Sequence, residues 1–306
     1  MTDKLLNYKE NKLVFLDIES ASGEKNIDVN SDLFKAFQWK MRDKETDVLP
    51  SVEETKRLYE QKAALFAPYG QVVCVTIGII VDGAIVLKTF SGEEKKLLKE
   101  FVYTLNSMRG FTPVAWNASF DFPYLRKRFF INGLEDYLRK DVGNDSGLKP
   151  WEVSILDLMV EWKGISFNNE GMDEVAIAMG LSSPKDDIKG SDVSKVYHEG
   201  GIDRIIKYNQ KDVITLINLF RKFTYQTELT SIIIRDEKKN TEVISKIPLM
   251  EAIMLEGTVS KKNEGKLLKL ISGMSEREKE ITIEILETAL KTTEVDLILI
   301  DKIKKA

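Results

Sequence analysis

Two carboxylates at the end of an apolar run, Asp17 and Glu19, are where residue type and spacing first point to chemistry. Leu13-Val14-Phe15-Leu16 reads as a buried strand. Side chains alternate across a strand, so Asp17 and Glu19 share one face, about 7 Å apart. Two like charges buried together are costly without a counter-charge. A divalent cation, a hard ion that prefers oxygen, is the usual partner. The alternative is a strand end that runs into a polar turn, with both carboxylates in water. Asp121 follows another strand-like run, 112–116, and sits where a helix starts. Its alternative is a helix cap, since Asp satisfies free backbone N–H groups there. Tyr208 and Asp212 lie four apart on a long helical stretch, hence on one face. Their alternative is a tyrosine packed at the helix edge and a solvated aspartate. Taken in order, four carboxylates from three elements could meet at one sheet edge and hold two divalent ions about 3.5–4 Å apart. The tyrosine would orient a water, because an unperturbed phenol titrates near pH ~10.

The elements that must position these residues follow from the pattern. Strands are expected at 13–19, 71–81, 84–90, 112–116 and 153–156. Asp82-Gly83 marks a hairpin turn between the second and third. Ser20 to Leu49 reads as an irregular loop with one short helix at 32–41. Ser51 with Glu54, and Ser91 with Glu94, are spaced as capping boxes for helices to about 66 and 108. A helix follows Asp121, and Asp157 reads as a helix cap. Another helix is expected at 172–179. Positions 202, 205, 206, 213, 216, 217 and 220 form one apolar stripe of helical period over 202–223. This order implies a mixed sheet with helices packed on it, an α/β class. Residues 225–306 read as a helical C-terminal extension, with a third capping box at Ser275 and Glu278, behind a domain spanning 1–224.

A chain of 306 residues, 43% hydrophobic and 31% charged, has the make-up of a soluble globular protein. No apolar run approaches the roughly 20 residues of a membrane span. The polar first 11 residues lack the core of a secretory signal, and the single Cys74 forbids an internal disulfide; a cytoplasmic protein is expected. Net charge is -4, so any nucleic-acid contact must be a local patch. Arg126-Lys127-Arg128 is one candidate; a solvated helix face is the other reading.

Leu16-Asp17-Ile18-Glu19, Asn117 to Asp121 and Tyr208 to Asp212 resemble, in order, the three motifs of the DEDD 3′→5′ exonucleases in the tyrosine branch. The histidine branch has its histidine five residues before the last aspartate, where this chain has Lys207; the lone His198 is expected to be structural or exposed. Tyr69-Gly70-Gln71-Val72-Val73-Cys74, Phe120 to Leu125, Lys149-Pro150-Trp151-Glu152 and Ser183-Pro184-Lys185 are similar to segments of predicted exonucleases related to the proofreading domain of family-B DNA polymerases. The resemblance covers roughly residues 12–223. It implies a ribonuclease-H-like fold with a mixed five-stranded sheet flanked by helices, and two Mg²⁺ or Mn²⁺ ions. Asp17 would bridge both ions, Glu19 and Asp212 would hold the ion that activates water, and Asp121 would serve the second. Tyr208 would position the water. Ile18, Asn117 and Phe120 would contact the terminal nucleotides, Phe120 by stacking. The implied substrate is the 3′ end of single-stranded DNA, cut to nucleoside monophosphates in replication or repair. A stand-alone enzyme, or one that serves a polymerase or recombination complex in trans, is expected, with the C-terminal extension as a docking element or a guide for the strand. An RNA exonuclease and a non-catalytic module that binds nucleic-acid ends are the alternatives.

Overall fold

The computed structural model describes residues 3–108, 110–135, 155–181 and 188–235. The helices are α1 (Asp3–Leu6), α2 (Asp32–Lys40), α3 (Val52–Lys62), α4 (Glu94–Ser107), α5 (Ala118–Ile131), α6 (Leu158–Lys163), α7 (Met172–Ala178), α8 (Val193–His198) and α9 (Ile202–Phe223). The strands are β1 (Leu13–Ser22), β2 (Gly70–Val81), β3 (Ala84–Ser91), β4 (Thr112–Ala115), β5 (Leu156–Asp157) and β6 (Ile232–Arg235). They form one mixed sheet in the order β5-β4-β1-β2-β3-β6. β1 is antiparallel to β2 and parallel to β4; β2–β3 is the expected hairpin, with Asp82 and Gly83 at φ 49° and 77°. The sheet flanked by helices is of the ribonuclease-H-like α/β kind.

The chain divides into two compact units, residues 1–98 with 112–234 and residues 99–111 with 235–306. Every candidate site residue belongs to the first. Of the second, the described part is mainly the later turns of α4, residues 99–107.

Three expectations are corrected. The sheet has a sixth strand, β6, which lies inside the stretch expected to be helical. Ile232, Ile233 and Ile234 give it the β-branched run that strands favour, and Ile85 N–H donates to Ser231 O at its start. The expected helix at 275–290 lies outside the described residues. β1 does not end at Glu19 but continues to Ser22. The capping box at Ser91 does not close, because Glu94 turns inward to Arg128 and the Val72 N–H. A buried guanidinium is a stronger partner for a carboxylate than a solvated helix end. At Ser51 the hydroxyl does cap Glu54 N–H, while Glu54 itself pairs with Arg57.

α9 lies across β1, β2 and β3. Its lower half carries the expected stripe, and Val213, Leu216, Ile217 and Phe220 are buried against Phe15, Ile80 and Leu87. Each such fully buried side chain is worth about 1.5–3 kcal/mol. Phe15 meets Phe220 edge-on with ring centroids 5.6 Å apart. Phe15, Asp17 and Glu19 alternate onto one face of β1, so the face that packs on α9 is also the face that carries the two carboxylates. Gly78 permits the close approach: a Cβ there would meet Val213 at 2.7 Å and Ile217 at 2.9 Å. Higher up, hydroxyls of Thr76 and Thr89 and the Gln210 amide link the sheet to α9 through polar contacts of 3.0 Å each.

Candidate active site

The carboxylates of Asp17, Glu19 and Asp212 converge between β1 and α9, each offering an oxygen within 4.8 Å of the others. Glu19 and Asp212 are each 7% exposed, and Asp17 is half-buried, which leaves one open edge. β1 supplies two ligands from one face. A register shift between Glu19 and Ser20 leaves Val73 of β2 as an extra residue beside them. Such bulges re-aim side chains next to functional sites.

Burial is the first cause of raised carboxyl pKa values here, and mutual repulsion the second. Asp17 is pushed well above its ordinary range by burial and then by Asp121. Glu19 is pushed up by burial, then by Asp17 and Asp212. Asp121 is 5% exposed and is pushed up to about 7, chiefly by burial. It is no helix cap: it sits in the fourth position of α5, and its carboxylate accepts the Ile18 N–H of β1. So the structure brings Asp17, Glu19 and Asp212 into one cluster, with Asp121 near enough to repel Asp17 and Glu19. An all-oxygen donor set of buried, mutually repelling carboxylates fits a hard divalent cation, which would relieve both costs.

Tyr208 stands one turn before Asp212, packed with Ile188, Val193 and Ile205. Burial, then Asp212, Glu19 and Asp17, push its phenol far above its usual range. It therefore keeps its proton. Ile18 is buried with its N–H engaged by Asp121. Asn117 is the N-cap residue of α5, and its amide oxygen accepts the Ser119 hydroxyl at 2.6 Å. Phe120 is partly exposed, with its ring 5.3 Å from that of Tyr124. Lys207 is exposed. His198 contacts the Ser22 hydroxyl at 2.8 Å and seats α8 on the end of β1, a structural role. Of the basic run, Arg128 is not a phosphate contact. It is buried against Glu94 and the Ala67 carbonyl. Lys149 to Glu152 and Ser183 to Lys185 lie outside the described residues.

Two residues were missed as partners of the site. Asn209 is fully buried, and its amide donates to Asp17 at 2.6 Å and also holds Glu19, while its oxygen accepts the Cys74 thiol at 3.5 Å. The stripe itself carried the signal: 209 falls between 206 and 213, where the period calls for an apolar residue, and an amide stands there. Asp157 caps α6 through Val160 N–H, as its sequence position implies, and it also accepts Ala118 and Ser119 N–H at the start of α5. One carboxylate thus fixes two helix starts, including the one that carries Asp121. Nothing in the local sequence announces this second role.

Residues 66–252 match the model of a family described as predicted 3′-5′ exonucleases related to the exonuclease domain of PolB. The matched span is more than half of the chain and holds Asp121, Tyr208 and Asp212; Asp17 and Glu19 precede it. No curated protein matches the chain significantly.

Proposed function

The chain belongs to this family of predicted 3′-5′ exonucleases, and we propose that it is a metal-dependent exonuclease that removes nucleoside monophosphates from the 3′ end of single-stranded DNA. The observation that carries the reading is the meeting of Asp17, Glu19 and Asp212 oxygens within 4.8 Å, with Asp121 near enough to repel Asp17. In the proposed site Asp17, Glu19 and Asp212 hold one divalent ion, and Asp17 with Asp121 holds a second. Bound there, Mg²⁺ or Mn²⁺ supplies a hydroxide at neutral pH and stabilises the leaving oxygen of an in-line displacement. Tyr208 donates from its protonated phenol to orient the attacking water. Asn209 keeps Asp17 and Glu19 in place. Phe120 stacks on a terminal base and Asn117 contacts the same nucleotide. Tyr208 four residues before Asp212, with Lys207 where the histidine branch has its histidine, supports a place in the tyrosine branch. We further propose that it serves a polymerase or recombination complex in trans, with residues after 225 as the docking element. Among the described residues no helix is long and apolar enough to cross a membrane.

The test is a gel assay on 5′-labelled single-stranded DNA with Mg²⁺ or Mn²⁺. The expected result is a ladder that shortens from the 3′ end and is lost with EDTA and with Asp17→Ala. Wild-type rates from purified Asp17→Ala would sink the assignment. Shortening of RNA alone would move the substrate to RNA.

A further inference from the structure

We propose that a groove between α2, the turn at 63–69 and the first turns of α5 is the track for the unpaired strand, gripping its bases by stacking and its phosphates by lysine. The occupant rests on the exonuclease reading above; the groove itself rests on its walls. Its volume is about 610 Å³, within the ~300–1,000 Å³ of ligand sites. One wall is Trp39, Lys40 and Phe66; the other is Phe120, Tyr124 and Lys127. Phe120, Tyr124 and Lys127 recur at helical spacing, so α5 presents them on one face.

Three properties select the occupant. The first is charge: among the described residues no carboxylate lines the groove, although the chain holds 49 acidic residues against 45 basic ones. The second is aromatic content: Trp39 and Phe120 offer exposed ring surface, while Phe66 and one face of Trp39 already carry cations. Trp39 is 56% exposed. The Arg42 guanidinium lies 4.3 Å from its ring, and the Lys40 ammonium lies 4.1 Å from the Phe66 ring. Aromatic faces interleaved with cations suit a single strand, whose bases expose their own faces. A duplex buries those faces in its own stack. The third is continuity: Phe120 lines the groove, and the next residue, Asp121, turns the other way to the Ile18 N–H of β1. Groove and site thus draw on neighbouring residues of one helix, Phe120 and Asp121.

The wall formed by α2 is held in place. Phe37 is fully buried between Tyr59 and Tyr69, with ring centroids 5.1 and 5.0 Å away, and the Tyr59 hydroxyl donates to Tyr69 O. Trp39, two residues on, extends from the opposite side of this anchored helix, and Lys40 reaches over the Phe66 ring. The long insertion after β1 thereby gains a role, as one side of the substrate path.

The experiment is fluorescence anisotropy of labelled 12-residue oligo-dT and oligo-U with the full chain in EDTA, where metal-dependent cleavage does not run. Trp39→Ala should weaken binding about ten-fold, and Trp39→Phe should restore most of it. Lys40→Ala should flatten the salt dependence of binding by about 0.7 in the log–log slope. The two oligonucleotides tell whether the strand is DNA or RNA. Wild-type affinity in both Trp39→Ala and Lys40→Ala overturns the proposal. So does a wild-type chain that binds neither oligonucleotide, which would give the groove to a protein segment instead. Trp39-dependent binding by a chain that cleaves neither nucleic acid upholds the groove and overturns the exonuclease reading alone.

Discussion

Asn209 is the residue on which the geometry of the carboxylates depends most. It is an uncharged side chain among charges, and it spends its donor on Asp17 at 2.6 Å. Groups that orient metal ligands typically account for 10–100-fold in metal affinity or activity. Asn209→Ala should therefore raise the Mg²⁺ or Mn²⁺ concentration for half-maximal cleavage by about that factor, with far-ultraviolet circular dichroism unchanged. An unaltered metal titration would remove Asn209 from the site. Asp121 makes a second case, through protons. Its carboxyl goes from an ordinary 3.8 to about 7, with burial the main cause. The folded chain thus holds a proton that the unfolded chain has already released. The resulting stability is full below about pH 4 and is lost as pH rises through about 7. Asp121→Asn stays neutral throughout and can still accept the Ile18 N–H. In metal-free buffer its melting temperature should exceed that of the wild type by an amount that grows between pH 5 and 8.5, while cleavage is abolished. A difference that does not change with pH would show that Asp121 titrates normally.

At the scale of elements, the seat of α9 on the sheet decides whether the ligands meet. Gly78 sets that distance, since a single added carbon would collide with Val213, Ile217 and Leu87. Overfilling a packed core costs about 1–3 kcal/mol. Gly78→Ala should lower stability by that amount in a urea titration. It should weaken metal binding as well, because α9 carries Asp212 and Asn209 together. Loss of stability with metal affinity intact would mean that α9 and the site are uncoupled. The apolar stripe of α9, the hairpin at Asp82-Gly83 and the order of strands and helices were legible because each is local and periodic. Asp17, Glu19, Asp121, Tyr208 and Asp212 stood out by type and spacing. The features that escaped depend on contacts between distant segments. Ser20 to Ser22 is polar, yet pairs with β2 because that strand continues alongside. Glu94 forsakes its helix end for an arginine 34 residues away. β6 is only four residues long, and its short run of three isoleucines becomes a strand by pairing with the distant β3.

For the whole molecule, the site ties the start of the first unit to its end. Asp17 and Asn209 are 192 residues apart, Ser22 and Ser194 are 172 apart, and Glu10 pairs with Arg221 beyond both. A loop closed over such a length costs entropy that only folding brings. The carboxylates oppose that closure by burial and repulsion. A cation held among them would turn the opposition into attachment, acting only on the folded chain. Ligand at a hundred times its dissociation constant stabilises by about 2.7 kcal/mol. For a unit of this size that corresponds to roughly 5–10 °C in melting temperature. The full chain with excess Mn²⁺ should melt higher by that much at pH 8 and by much less at pH 5, where protons compete for the same oxygens. EDTA should reverse the gain, and Asp17→Ala should show none. An equal gain in Asp17→Ala would mean that the ion stabilises the chain from somewhere other than the junction of β1 and α9.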